Sequence, residues 1–294
     1  MSVILITGSS SGFGAAAARH FARNGDTVYA SMRDPGKGGE VIALARRESL
    51  DIRPVELDVT RSAAFVPLLA RIVRECGRID VLVNNAGILR AGAFEDLEER
   101  DIREVLETNY LAPMLLARAA LPHMRAQRAG CIIMISSLSG IAGLPGDVAY
   151  AGSKFALEGA TEALRHEVDR WNIRVALVEA GLYATRIMDF SLRAAGLLPA
   201  NYPVHSPYRV LIEHRQRELA RRLSQAMDPD HIGRLLVEIV RSDGSQFRWP
   251  ADEIARRVLS TMWAQDDATR DAFLRGVAGS DWWSRGLDAA PPES

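Results

Sequence analysis

Short runs of Val, Ile and Leu alternate with helix-period segments from the N-terminus to about residue 180. The runs are Val3–Ile6, Thr27–Ser31, Arg53–Glu56, Val81–Asn84, Cys131–Ile135 and Val175–Glu179. Each is brief and largely apolar, the pattern of a strand buried on both faces. Between them lie helical stretches at Gly14–Arg23, Arg61–Cys76, Asp101–Arg125 and Tyr150–Trp171. Such alternation implies an α/β fold: a parallel sheet with helices on both faces, which right-handed crossovers make a doubly wound, Rossmann-type architecture. Beyond residue 186 helices dominate, at Arg186–Ala195, Pro207–Ala226 and Pro229–Val240, the last opened by Asp228 and Pro229 as N-cap and first residue. Gln246–Trp249 reads as an edge strand, Asp252–Trp263 as a helix and Asp288–Ser294 as a frayed tail. With no repeat or linker-like stretch, the chain is expected to be one domain: a core over 1–186, then a substrate lid and C-terminal helices over 187–287.

The 36 Lys+Arg against 37 Asp+Glu leave a formal charge of −1, so no global field gathers nucleic acid and any anion site must be local. Cys76 and Cys131 are too few for a disulfide framework or metal cluster and read as reduced thiols. Val3 follows Met1-Ser2 with no basic stretch, and no apolar run approaches the ~20 residues of a membrane span. A cytoplasmic location is expected. The six histidines show no metal-ligand spacing.

Thr7-Gly8-Ser9-Ser10-Ser11-Gly12-Phe13-Gly14 leaves the first strand and opens the first helix. In that position glycines let backbone N–H groups approach a pyrophosphate at the positive helix end. The spacing Thr-Gly-x-x-x-Gly-x-Gly resembles the glycine motif of the short-chain dehydrogenase/reductase family. Three further motifs extend the resemblance to about residue 186: Leu57-Asp58-Val59, Asn84-Asn85-Ala86-Gly87, and Tyr150 with Lys154. By that resemblance Asp58 and Val59 bracket an adenine, and Asn85, Ala86 and Gly87 let the chain pass close to a ribose.

After the second strand, NAD enzymes carry an acid that binds the adenosine ribose. Here Met32 stands in its place and Arg33 follows, which suits the 2′-phosphate of NADP(H), with Ser10 sharing it by similarity to NADP-using relatives. The family's Pro-Gly after the sixth strand is Ala180-Gly181 here. Gly181 and Thr185 occupy the positions that the resemblance assigns to the nicotinamide carboxamide and the phosphates.

Tyr150 and Lys154 are four apart on a helix and share a face. With Ser137 at the end of the preceding strand and Asn109 interrupting the long helix at Glu107-Thr108-Asn109-Tyr110, they resemble the family's Asn-Ser-Tyr-Lys tetrad, in which the Asn kinks the helix. Reduction of a ketone needs hydride at carbon and a proton at oxygen, and Tyr150 is the expected proton donor. Bringing a phenol from a pKa of about 10 to near 7 takes about 4 kcal/mol. An exposed ion pair gives at most ~1 kcal/mol, so the site must exclude water. Lys154 is the expected positive charge and ribose ligand, Ser137 the substrate-oxygen donor, and Asn109 the holder of a proton-relay water. Ser136 points the other way by strand alternation.

A bulky apolar ketone or alcohol is expected, lined by Ser137, Leu138, Ser139, Leu144, Tyr150, Tyr183 and Met188, with Ile187, Phe190 and Leu192 continuing the lid. The chain is thus expected to be an NADP(H)-dependent oxidoreductase without bound metal. The resemblance also implies a homo-oligomer, a dimer or tetramer, through the Asp101–Arg125 and Tyr150–Trp171 helices. A nicotinamide-using epimerase or dehydratase, or a non-enzymatic NADP(H)-binding redox sensor, is the alternative. The first favours a different glycine spacing; the second commonly loses the Tyr or Lys that this chain keeps.

Overall fold

A computed structural model describes residues 1–187, 202–287 and 289–290. Seven parallel strands form one sheet: β1 (Val3–Ile6), β2 (Thr27–Met32), β3 (Ile52–Glu56), β4 (Val81–Asn84), β5 (Gly130–Ile135), β6 (Ile173–Glu179) and β7 (Arg248–Pro250). Their spatial order is β3-β2-β1-β4-β5-β6-β7. The six strands and the edge strand anticipated from the sequence are all present, with ends moved by one to two residues. The order reverses between β1 and β4, where Ile6 pairs with Val83, so a crevice opens beyond the carboxyl ends of these two strands.

The strands β1 and β4 are buried throughout because helices cover both faces. On one side Ile4, Ile6, Val83 and Ile133 pack against Phe21 of α1 (Gly12–Arg23) and Ile232 and Leu236 of α8 (Asp230–Arg241). On the other Leu5, Leu82 and Ile132 meet Leu69 of α3 (Phe65–Cys76), Leu116 of α5 (Ala112–Gln127) and Leu157 of α6 (Val148–Val168). The remaining helices are α2 (Gly39–Glu48), α4 (Glu99–Leu106), α7 (Arg209–Leu223), α9 (Glu253–Ala264), α10 (Asp267–Ala278) and α11 (Asp281–Ser284). Cys131 is buried and Cys76 half-buried, both unpaired thiols. No helix of the described residues is long and apolar enough to cross a membrane.

One expectation is met and another corrected. The helix read as Asp101–Arg125 is interrupted at Asn109, as expected: α4 ends at Leu106, a π-turn spans Glu107–Leu111, and α5 begins at Ala112. Pro113 has no N–H to donate to the Asn109 carbonyl four residues back, which gives the break a local cause. Helices α2, α10 and α11 are additional. Of these α10 carries a readable signal, since Asp266 accepts from the Thr269 N–H at 2.8 Å. Asp228 does act at the start of α8, its Oδ1 accepting from the Asp230 N–H at 2.8 Å. The expected helix after residue 186 and the 288–294 tail lie mostly outside the described residues.

The ends of β1 and β4 are knitted together by Thr7. Its buried Oγ1 accepts from the N–H groups of Asn85 (2.9 Å) and Ala86 (3.0 Å), and the Asn85 Nδ2 returns a bond to the Thr7 carbonyl (2.7 Å). Thr7→Val keeps the shape but leaves two N–H groups without an acceptor. It should cost about 1–3 kcal/mol, read as a lower urea midpoint at unchanged slope. An unchanged midpoint would show that the tie contributes nothing.

Candidate active site

The crevice is the mouth of a cavity of about 1870 Å³. At one end the loop after β1 turns into α1. Ser11 is extended and its side chain caps nothing, leaving the first-turn N–H groups of α1 beside the cavity. Gly12 is left-handed (φ 54°), and a Cβ there would lie 3.2 Å from Thr185 Cγ2. A Cβ on Gly14 would fall 2.5 Å from the Gly8 carbonyl oxygen and 2.7 Å from Asn85 Nδ2. The loop therefore closes only around hydrogen. An uncapped helix start ringed by backbone N–H groups is a donor set for an anionic phosphate, and the residues present fit a dinucleotide.

The structure gathers the expected cofactor residues along this end: Gly8, Ser10, Ser11, Gly12, Phe13, Arg33, Asp58, Val59, Asn85, Ala86, Gly87, Gly181 and Thr185 all border the cavity. Gly14 lies behind the loop. Met32 is buried while Arg33 is exposed at the rim. Asp34 turns back on its own loop, accepting from the Gly36 N–H at 2.9 Å. Asp58 likewise caps its own turn, accepting from the Thr60 N–H (3.0 Å) and hydroxyl (2.8 Å). The Gly181 N–H donates to Asp252 Oδ2 at 3.2 Å, so in this structure it is taken by protein.

At the other end Ser137, Tyr150 and Lys154 share one wall. The segment after β5 places Ser137, whose Oγ accepts from the Ser139 N–H at 3.2 Å and whose hydroxyl bonds Tyr150. Ser136, as alternation requires, is turned instead toward Glu158. Tyr150 and Lys154 rise from successive turns of α6, with the Lys154 Nζ 5.8 Å from the Tyr150 ring centroid. Lys154 is 5% exposed and donates to the Ile135 carbonyl at 2.8 Å. Asn109 is buried in the π-turn. Its Oδ1 accepts from the Ile88 N–H (2.9 Å) and its Nδ2 donates to the Ile88 carbonyl (2.9 Å) and Ser153 Oγ (3.1 Å). Both donors and one lone pair of the side-chain amide are thus used in bracing the strand-end loop against α6.

Burial dominates the electrostatics of the wall in the protein without cofactor. Burial pushes the Tyr150 phenol up to about 12, the Ser137 hydrogen bond opposing and the charge of Asp147 adding to the rise. Burial brings the Lys154 ammonium down to about 8, against the attraction of Glu158. In the protein without cofactor, desolvation is the largest influence on the phenol. The phenol keeps its proton.

Of the expected substrate residues, Leu138, Ser139 and Leu144 border the cavity, half-buried, beside Ser137 and Tyr150. Tyr183 borders the cavity as well. Its ring is buried edge-on to Phe13 (5.1 Å) and its hydroxyl donates to the Ala251 carbonyl (3.3 Å). Ile187 borders the cavity, whereas Met188, Phe190 and Leu192 lie outside the described residues. Sequence reasoning missed Asp147 and Arg215, which face each other across the cavity, and the Glu158–Arg248–Glu179 group behind Lys154. Of these only Glu158 carried a signal, its spacing of four from Lys154. No group of three or more potential metal ligands exists among the described residues.

This sheet, with a phosphate cradle at its switch point and a Ser-Tyr-Lys wall beyond, defines a dinucleotide-binding α/β protein. The sequence model described as short chain dehydrogenase matches residues 2–194. The chain belongs to that family of oxidoreductases. It is 39% identical over 188 residues to 3-ketodihydrosphingosine reductase of Bacteroides thetaiotaomicron, covering 64% of this chain and 66% of that protein, just under two thirds of each. A short-chain dehydrogenase structure from Streptomyces avermitilis is similar over 98% of both chains, at 30% identity and a TM-score of 0.76. A metagenomic short-chain oxidoreductase in complex with NADP is similar over 85% of this chain and 96% of that one, at 26% identity and a TM-score of 0.66.

The buried ammonium gives a signed stability prediction. The folded pKa of Lys154 lies below its ordinary value of 10.5, so between about 8 and 10.5 the unfolded chain binds more protons and stability rises with pH. Below about 8 the full cost of burying the charge is present. Lys154→Met should therefore stabilise the protein at pH 7 by on the order of 2–3 kcal/mol. The gain should fade as pH climbs past 8, in urea unfolding at pH 7 and pH 10. A loss of stability at pH 7 would contradict it.

Proposed function

We propose that the chain transfers hydride between NADP(H) and a carbonyl or secondary alcohol, with Tyr150 as the general acid and base. One observation carries this reading: Ser137, Tyr150 and Lys154 stand on one wall of a cavity whose other end is an uncapped helix start wrapped in a glycine loop. When bound, the nicotinamide supplies or accepts the hydride. The residues do the rest. Ser137 and the Tyr150 hydroxyl hold the substrate oxygen, and a protonated phenol is the state that a reductase needs before proton delivery. The positive charge of Lys154 stabilises the phenolate left behind, an effect enlarged by the low dielectric of the wall. Asn109 fixes the end of β4 against α6 and keeps the wall in register.

The choice of NADP(H) is supported by the exposed Arg33 beside a buried Met32 where an acid would disfavour the extra phosphate. The NADP complex of the metagenomic relative agrees with it. A bulky or long apolar ketone is supported by Leu138, Leu144, Ile212 and Val258 around the cavity, and by the name of the Bacteroides relative. Exposed Leu111, Val148 and Phe155 on and beside α5 and α6 support assembly with further copies of the chain.

Two experiments test the reading. Arg33→Ala should raise the dissociation constant of NADPH about tenfold, the effect of one charge-assisted hydrogen bond, and barely move that of NADH. Equal losses for both cofactors would remove the 2′-phosphate contact. In a panel of apolar ketones followed by NADPH absorbance, Tyr150→Phe should lose at least about 100-fold in kcat, the lower range for a proton donor. Full turnover by that variant would mean that another group is the acid.

A further inference from the structure

Beside the catalytic wall the cavity is bordered by α7, which turns Ile212, Arg215, Gln216, Leu219 and Arg222 toward it. These spacings put all five on one face of the helix. A face that only covered an apolar ketone would be apolar throughout. Ile212 and Leu219 are; Arg215, Gln216 and Arg222 are not. Arg215 is held in a fixed place. Its Nε donates to the Pro145 carbonyl at 3.3 Å and its Nη1 to the Ala278 carbonyl, at the end of α10, at 3.0 Å. A Cβ on Gly146 would fall 3.1 Å from Ile212 Cδ1, so α7 rests directly on this loop. The guanidinium is thus docked on the segment that leads into α6 and Tyr150. Its partners there are neutral carbonyls, and no carboxylate among the described residues lies within ion-pair distance of it. Glu218 on the same helix is taken by Arg221 at 3.0 Å. Gln216 is 6% exposed, and its Oε1 is enclosed without a hydrogen-bond partner. Its Nε2 has no protein acceptor among the described residues. A half-buried cation without a counterion and a buried amide without partners, adjacent on one cavity wall, are costly enough to need a reason.

We propose that Arg215 and Gln216 form a subsite for a carboxylate carried by the substrate: the N–H groups of Arg215 that the two carbonyls leave free take its oxygens, and the Gln216 carboxamide adds a hydrogen bond from Nε2. The inference rests on the reading of this cavity as the site of a carbonyl substrate, and it narrows that substrate to a keto acid with an apolar chain. A guanidinium presents paired donors in one plane, a match for a carboxylate that a neutral ester or amide cannot use in full. A half-turn of the Gln216 amide exchanges its donor and acceptor ends, so either end can serve the ligand. The local field has the right sign. Arg222 and Arg257 also border the cavity, exposed and without ion pairs among the described residues, and draw an anion toward it. Asp147 faces Arg215 across the cavity, beyond ion-pair distance, with its carboxyl raised to about 6 by burial. A carboxylate seated on Arg215 would raise it further, and the neutral acid donates a hydrogen bond where the anion would repel. Ile212, Leu219 and Val258 remain to line the apolar chain.

Saturated ligands test the subsite without any turnover. With NADP+ present, decanoate should bind at least about tenfold more tightly than decanamide in calorimetry, the effect of one charge-assisted hydrogen bond. Arg215→Met, which keeps an apolar stem, should erase that preference and change decanamide binding little. Arg215→Lys, which keeps the charge, should retain part of it. Gln216→Leu should weaken decanoate about fivefold, the effect of one neutral hydrogen bond. A merely structural Arg215, tying α7 to the Pro145 loop, would lower stability and affect every ligand alike. Equal affinities of the unaltered protein for decanoate and decanamide would overturn the proposal. So would tighter binding of decylamine, which would make Asp147 the recognising charge. Neither result needs a variant, so the test stands even if Arg215→Met does not fold. In turnover, at least one of the isomeric oxodecanoates should be reduced with a kcat/KM about tenfold or more above that of its methyl ester. Arg215→Met should remove the difference. Absence of reduction of any ketone, with or without a carboxylate, would count against the proposed function, while the calorimetry would still decide the subsite.

Discussion

The site depends on one short hydrogen-bonded tie, the hydroxyl of Thr7 accepting from two backbone N–H groups at the end of β4. A parallel sheet that reverses its winding leaves two strand ends diverging, with N–H groups that no ladder can satisfy. Thr7 and Asn85 satisfy them across the gap, and in doing so set the distance between the glycine loop and the Asn-Asn-Ala-Gly turn. Asn109 then continues the bracing from Ile88 to Ser153 on α6, the helix that carries Tyr150 and Lys154. The phosphate end and the catalytic wall are thus connected by side-chain hydrogen bonds, to backbone at Thr7, Asn85 and Ile88 and to the Ser153 hydroxyl on α6.

Within that frame Lys154 is buried and Tyr150 half-buried, and burial acts on acid and amine in opposite senses. It holds the phenol in its protonated form and loosens the proton of the amine. A phenol that resists ionisation and a nearby cation that resists charge become useful together only when something supplies the missing polarity at the moment of reaction. A site of this kind stores electrostatic tension at the cost of stability, as preorganised sites do.

The fold was largely legible because strands buried on both faces must be continuous apolar runs, and Val3–Ile6 or Val81–Asn84 can be little else. Glycine spacing, Asn85 and the Tyr150–Lys154 pair were legible because each is a local pattern tied to a strand end or a helical turn. The break at Asn109 was legible from the family pattern, while its form as a π-turn and the missing N–H of Pro113 were not, because the helical period runs through them. The partners of Gly181 and Tyr183 were not legible, because Asp252 and the Ala251 carbonyl come from 71 and 68 residues away. Asp147, Arg215, Glu179 and Arg248 left no mark in the sequence, since ion pairing across elements has no period.

The distribution of basic residues follows the same physics. A chain that uses arginine almost everywhere keeps lysine at 154, where a charge must be able to shift its proton affinity. Behind it stands Arg248, whose guanidinium stays charged even when buried among Glu158, Glu179 and Glu162. Permanent and adjustable charge are thereby separated: the first organises carboxylates in the interior, the second faces the reaction. Exchanging the two residue types would place an untitratable cation beside the phenol and a yielding one beneath two buried glutamates. The total charge would be unchanged, and neither end of the arrangement would keep its properties.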